Sequence, residues 1–368
     1  MKLKILVIGA VNDFYFFIKK NRLKNIDLSE KNILVINPQG YGDTIMMTSM
    51  LRELKSTFST CNIFVVVSSK GYEVLKECKY VDKLILYSGR LPDYFNLVQE
   101  INNLHIEVCF DLQITLSNFR RWFFSFLVGS KYRLYFKRGG FRGFLPSLEI
   151  NYPSNHMIDN YLEIIKPFVK YIKNKRPEVF FSKKDELWAK EIIRLNEKRR
   201  KVILIHTYSE NKNHLWQTDK WVSIAEELCK NNVVLFISPE EGIDYVKNIV
   251  GKMKNKSEII VPDTFNKLAA LISESDLLIT IDTSTVHISS ATKTPAVIIY
   301  GPTILNFWGP INENQISLQK DTVCRGKCRE YNLNKIFASR ELCREYNDNC
   351  INYITEEEVI RESKNLLK

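Results

Sequence analysis

Residues 276–303 read DLLITIDTSTVHISSATKTPAVIIYGPT. They contain two apolar runs, 277–281 and 296–300, and each run ends abruptly in small polar residues. Short runs rich in Ile, Val and Leu that are bounded by turn formers predict strands buried on both faces. Between the runs, the polar residues 282–285 (DTST) predict the start of a short helix. The stretch therefore predicts a parallel strand–helix–strand unit.

Two polar loops of this unit form a candidate binding edge. Parallel sheets bind ligands beyond the carboxyl ends of their strands, where helix N-termini present free N–H groups. The loops at 282–285 and 301–303 each follow a predicted strand, so they should emerge side by side. We expect a site for a phosphate-bearing ligand at this edge.

The alternation of strands and helices continues along most of the chain. Strands are predicted at 33–36, 63–67, 83–87, 108–112, 202–206, 233–238 and 258–261. Helices are predicted at 44–58, 74–78, 97–103, 119–127, 185–196, 219–230, 244–253 and 265–273, with a last helix capped by Thr355. A charged stretch ending at Pro177 is the candidate linker. The predicted fold class is α/β, with two doubly wound, Rossmann-like domains facing a central cleft.

The bulk composition agrees with two globular domains. The chain has 368 residues, 45% of them hydrophobic, enough for two cores of ordinary size. Its formal net charge of +11 favours anionic partners such as nucleotides, phosphorylated glycolipids or a membrane surface. A solvated basic surface is the open alternative. The basic residues concentrate at 131–138 with Arg142, and at 166–176.

Residues 1–30 form a candidate N-terminal extension that contacts a membrane. No apolar run in the chain approaches the roughly 18 residues of a membrane span. The N-terminus also lacks a small-x-small cleavage site, so no signal peptide is predicted. The aromatic residues 14–17 precede a basic stretch, which is typical of an interfacial anchor. An extra strand is the alternative.

A cysteine cluster near the C-terminus has two interpretations. Cys324, Cys328, Cys343 and Cys350 have the spacing C-x3-C-x14-C-x6-C. The first pair suits a structural zinc site, but the second pair is wider than usual. Reduced structural thiols are the other interpretation, since no export signal is predicted.

A glycine-rich turn follows the strand predicted at 33–36. Gly40 and Gly42 allow a backbone to approach a ligand closely. Asp43 stands at the predicted helix start, where an N-cap is the simplest role for a carboxylate. The functional alternative is a general base that takes a proton from a hydroxyl nucleophile.

Several stretches resemble glycosyltransferase family 9, the lipopolysaccharide heptosyltransferases. Residues 32–58, NILVINPQGYGDTIMMTSMLRELKSTF, resemble the family's opening strand, Gly-Asp turn and helix. Residues 110–116, FDLQITL, resemble its next acceptor-domain strand. Residues 281–287, IDTSTVH, and YGPT at 300–303 resemble its donor signature, Asp-Thr-Gly-x-x-His followed by Tyr-Gly-Pro-Thr. The resemblance covers roughly residues 31–360.

The resemblance implies a GT-B fold and an inverting reaction that needs no metal or other cofactor. It implies an acceptor-binding domain over 31–176 and a nucleotide-sugar-binding domain over 177–368, the latter with a Cys-rich segment and a returning last helix. Asp43 would be the base, and Gly40 and Gly42 would form the acceptor-binding loop. The donor would contact Asp282, Thr283, Ser284, Thr285 and His287. Packing against helix neighbours is the alternative role for His287.

Two positions of the donor region, Ser284 and His214, depart from the family pattern. Ser284 stands where family members usually have Gly, which restricts φ in that loop. His214 stands two residues before Trp216, where the family places a phosphate-binding Lys. Lys212 is close enough in sequence to replace it, and a flexible polar loop is the alternative.

Two adjacent acids follow the strand predicted at 233–238. The family places a ribose-binding acid after this strand, and here Glu240 and Glu241 occupy that place. The sequence does not distinguish them, and we take Glu241 as the candidate.

The predicted function is an inverting, metal-independent glycosyltransferase. It would move heptose, with ADP-heptose as the first candidate donor, to a lipopolysaccharide core or a related phosphorylated, lipid-linked glycan. We expect it in the cytoplasm, as a peripheral protein at the inner face of the cytoplasmic membrane. The alternatives are a GT-B nucleotide-sugar epimerase and a non-catalytic protein that binds nucleotide-sugars or nucleic acid. No nucleic-acid partner is expected, since the aromatic residues are not interleaved with Arg on a recognition fold.

Overall fold

The computed structural model of the protein describes residues 26–113, 127–137, 148–151, 156–197, 200–255, 257–320 and 349–368. Several predicted features lie outside these residues. They are residues 1–25 of the extension, most of the helix at 119–127, the basic residues Arg138 and Arg142, and Cys324, Cys328 and Cys343.

The chain divides into two compact units, Met1–Lys175 and Arg176–Lys368. The division falls within the charged stretch 173–177, which ends at Pro177. Among the described residues, no helix combines the length and the apolar character needed to cross a membrane.

The first unit is built on a parallel sheet. Its described strands are β1 (Asn32–Asn37), β2 (Asn62–Val67), β3 (Lys83–Leu86), β4 (Val108–Asp111), β5 (Tyr132–Lys137) and β6 (Leu148–Asn151). They lie in the order β3-β2-β1-β4-β5-β6, and every pair is parallel. Strand β1 is central and is buried from Ile33 onward, because helices cover both faces of such a sheet.

Four helices accompany this sheet in the described residues: α1 (Tyr41–Thr57), α2 (Ser69–Leu75), α3 (Leu91–Asn102) and α4 (Met157–Ile165). Helix α1 buries Ile45, Met46, Met50 and Leu54, which recur at helical spacing. Helix α4 packs against α1 and buries Met157 and the other residues of one face, which are Asn160, Tyr161, Ile164 and Ile165.

The second unit repeats the architecture of the first. Its described strands are β7 (Val202–His206), β8 (Val233–Ile237), β9 (Glu258–Ile260), β10 (Leu277–Ile281), β11 (Ala296–Tyr300) and β12 (Gln315–Gln319). The order is β12-β11-β10-β7-β8-β9, again all parallel. The described helices are α5 (Lys183–Glu197), α6 (Thr218–Cys229), α7 (Ile243–Gly251), α8 (Phe265–Glu274), α9 (Ser284–Thr292), α10 (Leu305–Trp308) and α11 (Glu356–Leu366).

Each sheet therefore has the strand order of a doubly wound domain. In both, the chain reverses its direction of strand addition between the first and the fourth strand, β1 and β4 in one unit and β7 and β10 in the other. Ligands of open α/β sheets bind beyond the carboxyl ends of such a strand pair. The topology thus selects residues after Asn37 and Asp111 in the first unit, and after His206 and Ile281 in the second.

Within the basic stretch at 131–138, residues Tyr132–Lys137 form strand β5, which the sequence did not predict. Arg133 is only 6% exposed, and its guanidinium donates a hydrogen bond to the main-chain oxygen of Val128. Arg133 therefore belongs neither to a solvated basic surface nor to a surface that binds anions. Lys131 is exposed and pairs with Glu107, 2.9 Å away.

The last helix, α11, begins as predicted. Thr355 caps it, and Thr355 and Glu358 form a reciprocal capping box. The segment before the helix is fixed by Lys220, whose Nζ donates to the main-chain oxygens of Asn352 and Ile354, each at 2.8 Å. Helix α11 packs against α6 of the same unit.

Candidate active site

Helix α9 presents its N-terminus at the selected edge of the second sheet. It starts at Ser284, directly after β10, and its N-cap residue Thr283 makes no side-chain cap hydrogen bond. The first-turn N–H groups of Ser284 and Thr285 point out of the helix end, where no intrahelical acceptor exists. Such groups, together with the helix dipole, attract an anion.

Three threonine hydroxyls and a histidine form one hydrogen-bond chain beneath this helix start. Thr285 Oγ1 lies 2.7 Å from Thr280 Oγ1 and 2.7 Å from Thr283 Oγ1. Thr280 donates to the main-chain oxygen of Ile281 at 2.9 Å. A hydroxyl has one proton, so Thr285 must donate to Thr280, and Thr283 to Thr285.

His206 completes the chain. Its Nδ1 lies 3.4 Å from both Thr280 Oγ1 and Thr283 Oγ1. Because both hydroxyl protons are already used, Nδ1 carries the imidazole proton in this arrangement. Burial lowers the pKa of His206 to about 4, so the ring is neutral at pH 7. The sequence did not single out His206, although it ends β7 beside the predicted loop.

Asp282 joins three loops of the second unit. Its Oδ2 accepts a hydrogen bond from the hydroxyl of Thr303. His214 Nδ1 lies 3.1 Å from the main-chain oxygen of Asp282 and 3.6 Å from its Oδ2. Burial raises the pKa of Asp282, and the nearby His214 and the hydrogen bond from Thr303 oppose this shift. The carboxylate is therefore a fixed acceptor at the centre of the loop cluster.

The loop at 301–303 is held in place from two sides. Gln319 Nε2 donates to the main-chain oxygens of Gly301 and Thr303, at 2.8 and 2.9 Å. On the other side, a Cβ atom at Gly301 would lie 2.7 Å from the main-chain oxygen of Asn213. Only glycine fits this contact, which packs the loop of His214 against the Gly-Pro-Thr loop.

Two further predicted donor residues, His287 and Lys212, lie near this loop cluster. His287 lies in the first turn of α9 and is 7% exposed. Lys212 shares a short 3₁₀ turn, Lys212–His214, with His214, but its side chain is exposed. The structure brings His214, and not Lys212, into contact with Asp282. His214 thus contacts the loop after β10, and the flexible-loop alternative for this segment stays open.

Glu240 and Glu241 lie in a 3₁₀ turn, Glu240–Gly242, at the carboxyl end of β8. Both side chains are exposed. The turn is fixed by Gly242, where a Cβ atom would lie 2.5 Å from the ring of Tyr208. The turn therefore borders the same sheet edge as the donor loops. The predicted contact of Glu241 with the ribose stays a prediction.

In the first unit, Asp43 lies at the edge that the topology selects. Helix α1 begins at Tyr41 with Gly40 as its N-cap, so Asp43 is the third helical residue. The N-cap interpretation of Asp43 is wrong, because the helix starts earlier than predicted and the cap is a glycine. The hydroxyl of Tyr161 donates to Asp43 Oδ1 at 3.3 Å. Sequence reasoning did not identify Tyr161, which lies 118 residues away along the chain.

Comparison with known proteins identifies the family. The sequence model of glycosyltransferase family 9 (heptosyltransferase) matches residues 135–336, more than half of the chain. The chain belongs to glycosyltransferase family 9. The protein is therefore a glycosyltransferase, and the resemblance in the sequence is confirmed.

Two curated relatives of this family 9 enzyme are similar over most of its length. It is 23% identical to lipopolysaccharide heptosyltransferase 3 of Escherichia coli K12, over 75% of this chain and 84% of that protein. It is 22% identical to lipooligosaccharide heptosyltransferase 2 of Campylobacter jejuni, over 91% of this chain and 98% of that protein.

Solved structures of the family share the fold. A family 9 glycosyl transferase from Veillonella parvula has a TM-score of 0.80 and 20% identity, with 93% of this chain and 98% of that chain covered. The ADP-heptose lipopolysaccharide heptosyltransferase II of E. coli has a TM-score of 0.69 and 16% identity, with 91% and 98% covered. The predicted GT-B fold of the family 9 enzyme is thereby confirmed.

The described part of this glycosyltransferase offers no metal centre: it contains no group of three or more His, Cys, Asp or Glu side chains that could hold an ion. Of the cysteine cluster, only Cys350 is described, and its side chain is buried. Zinc binding by the cluster as a whole stays a prediction.

Proposed function

We propose that this family 9 enzyme transfers heptose from a nucleotide diphosphate donor, ADP-heptose first, to a lipopolysaccharide core or a related lipid-linked glycan. The similarity to curated heptosyltransferases over most of the chain supports the sugar and the acceptor class. The observation that carries the proposal is the uncapped N-terminus of α9 beside Asp282 and His214, at the strand reversal of the second sheet.

The donor diphosphate would bind at the start of α9. The N–H groups of Ser284 and Thr285 would donate to its oxygens and stabilise the charge that grows on the leaving group. Thr283, Asp282 and His214 would shape the rest of the subsite, and His287 would support it from the first turn of the helix. Glu241 would accept from the ribose, and Lys212 would contribute positive charge from the exposed turn.

Asp43 would act as the general base. It would take the proton of the acceptor hydroxyl as that oxygen forms its bond to the anomeric carbon of heptose. The bond from this carbon to the diphosphate breaks in the same step, and the nucleoside diphosphate leaves with the electron pair. Attack from the opposite face inverts the anomeric centre. Gly40 and Gly42 would let the acceptor approach the backbone beside Asp43. The reaction would need no metal or other cofactor.

The acceptor would be phosphorylated and anchored in lipid, at the cytoplasmic face of the inner membrane. The net charge of +11 supports an anionic partner of this kind. We propose peripheral attachment to this surface, with residues 1–30 as the candidate contact.

A ligand screen followed by a transfer assay tests the proposal. Binding raises the melting temperature with the logarithm of ligand concentration over Kd, so ADP and ADP-heptose should stabilise the protein more than UDP-, GDP- or dTDP-sugars. Heptose should then move to a heptose-deficient core acceptor. Donor turnover without acceptor would support an epimerase instead. Donor binding without any turnover would support a non-catalytic binding protein.

A further inference from the structure

Tyr161 is a buried tyrosine whose hydroxyl reaches the proposed base. Its side chain is 0% exposed, and its hydroxyl donates to Asp43 Oδ1 at 3.3 Å. Buried phenols are normally placed where their O–H finds a partner. Here the partner is a carboxylate at the ligand-binding edge of the sheet.

The fold holds Tyr161 rigidly against the helix that carries Asp43. Tyr161 lies on α4, which packs on α1 through a face that includes Met157, Asn160 and Ile164. The N-terminus of α4 is fixed by His156, whose Nδ1 accepts from the N–H of Ile158 at 3.2 Å. Because the side chain of Tyr161 has no exposed surface, the packing around it sets the position of its hydroxyl.

The carboxylate of Asp43 is on the third residue of α1, at the N-terminal end of the helix, and the phenol of Tyr161 is one of its contacts. A hydrogen bond from Tyr161 to one carboxylate oxygen restricts rotation about the Cβ–Cγ bond. It also stabilises the ionised form, which is the form that can accept a proton.

We infer that Tyr161 is a positioning residue for Asp43. It orients the carboxylate towards the acceptor hydroxyl and keeps it ionised at lower pH than an unassisted aspartate. This inference rests on the proposed role of Asp43 as the base. Tyr161 itself does not touch the reacting atoms.

The test is the pH dependence of heptose transfer in Tyr161→Phe, measured with ADP-heptose and a heptose-deficient core acceptor. Removal of the hydrogen bond should move the acidic limb of the kcat/KM profile to higher pH. It should also lower kcat about threefold to tenfold, the equivalent of one hydrogen bond, and leave the donor KM unchanged. The matched control is Tyr245→Phe, which removes a phenol hydrogen bond of 3.1 Å to Trp216 in the other unit. Its acidic limb should match that of the wild type.

A second variant gives a shift of opposite sign. Replacement of Tyr161 by 3-fluorotyrosine makes the phenol a stronger donor, so the acidic limb should move to lower pH. A structural role alone would lower the melting temperature and the rate at every pH without moving the limb. Unmoved limbs in both variants overturn the inference, provided that Asp43→Asn is inactive. If Asp43→Asn transfers heptose at the wild-type rate, the base assignment itself fails, and the inference fails with it.

Discussion

His214 Nδ1 lies 3.1 Å from the main-chain oxygen of Asp282, the residue that directly precedes the N-cap of α9. A carbonyl oxygen only accepts hydrogen bonds, so Nδ1 carries a proton and Nε2 is the remaining ring nitrogen. In the neutral ring, Nε2 presents a lone pair, which does not attract a phosphate.

We therefore expect His214→Lys to tighten the binding of ADP. The lysine ammonium would donate a charge-assisted hydrogen bond to a phosphate oxygen, a gain of about 1 kcal/mol or about fivefold in Kd. Isothermal titration with ADP at pH 8 measures this. Asn231→Lys adds the same charge before β8, at the opposite end of the sheet, and should leave the Kd unchanged. Equal or weaker binding in His214→Lys would show that His214 does not face the diphosphate.

Asp43→Asn should lose transfer activity and keep its stability. Loss of a general base costs about 10² to 10⁴ in kcat. The melting temperature should change little, because Gly40 caps α1 and a first-turn acid contributes only about 0.3–1 kcal/mol. Asp93→Asn is the matched control, since Asp93 is the third residue of α3 and accepts from Ser88. Undiminished transfer by Asp43→Asn, assayed at saturating substrates, would rule out the role of base.

The stability of the protein should fall between pH 6.5 and 4 through His206. Its folded pKa of about 4 is below the ordinary value of 6.5, so the unfolded chain binds the proton first. The contribution of His206 to the free energy of unfolding is complete above pH 6.5. It is lost as the pH falls to about 4, and the total loss is roughly 3 kcal/mol. Urea unfolding at a series of pH values from 7 to 4 measures this. The free energy of unfolding should fall less steeply with decreasing pH in His206→Asn than in the wild type. His105→Asn, at an exposed histidine, should keep the wild-type slope.

Gly301→Ala should displace the loop of His214. The new methyl group would meet the oxygen of Asn213 at 2.7 Å, so one of the two loops must move. We expect a loss of about 1–3 kcal/mol in the free energy of unfolding, and weaker binding of ADP. Gly251→Ala is the control, since nothing lies within 4 Å of its Cβ position. If a folded Gly301→Ala protein binds ADP with wild-type affinity, the contact between the two loops does not contribute to donor binding.

Lys220→Met should loosen the last helix. It removes two hydrogen bonds of 2.8 Å that hold the segment before α11, and we expect a loss of about 2–4 kcal/mol. Hydrogen exchange should show faster amide exchange in Glu356–Leu366. Lys230→Met removes an exposed pair with Glu227 and should cost less than about 1 kcal/mol. Unchanged protection of α11 in Lys220→Met would mean that packing alone fixes the helix.

The sequence predicted nine of the twelve described strands well and missed β5 and β6 on one side of the first sheet and β12 on one side of the second. Strands β7, β10 and β11 have the predicted bounds, because a strand buried on both faces is a continuous apolar run. Strand β5 contains Arg133 and Lys137 within six residues, and β12 is polar at both ends, so neither is a continuous apolar run. Helix α2 starts before the predicted position because Ser68 caps it.

The candidate site was predicted in part. The loop at 282–285 was predicted because these four polar residues directly follow one apolar run and lie before the next. The partners of its residues were not found, because they depend on three-dimensional contacts between distant loops. Gln319 and Thr303 hold the neighbouring loop, and Tyr161 reaches Asp43 from another helix. No local pattern marks Gln319 or Tyr161 as functional, whereas Thr303 belongs to the Tyr-Gly-Pro-Thr stretch at 300–303.

The chain of hydroxyls beneath α9 has an evolutionary consequence. Each hydroxyl of Thr280, Thr283 and Thr285 uses its single proton for the next acceptor, and His206 supplies the last donor. Replacement of one member changes the proton demand on the others, so the effects of two substitutions will not add. These four positions should therefore show epistasis, and a lineage should exchange them as a set rather than one at a time.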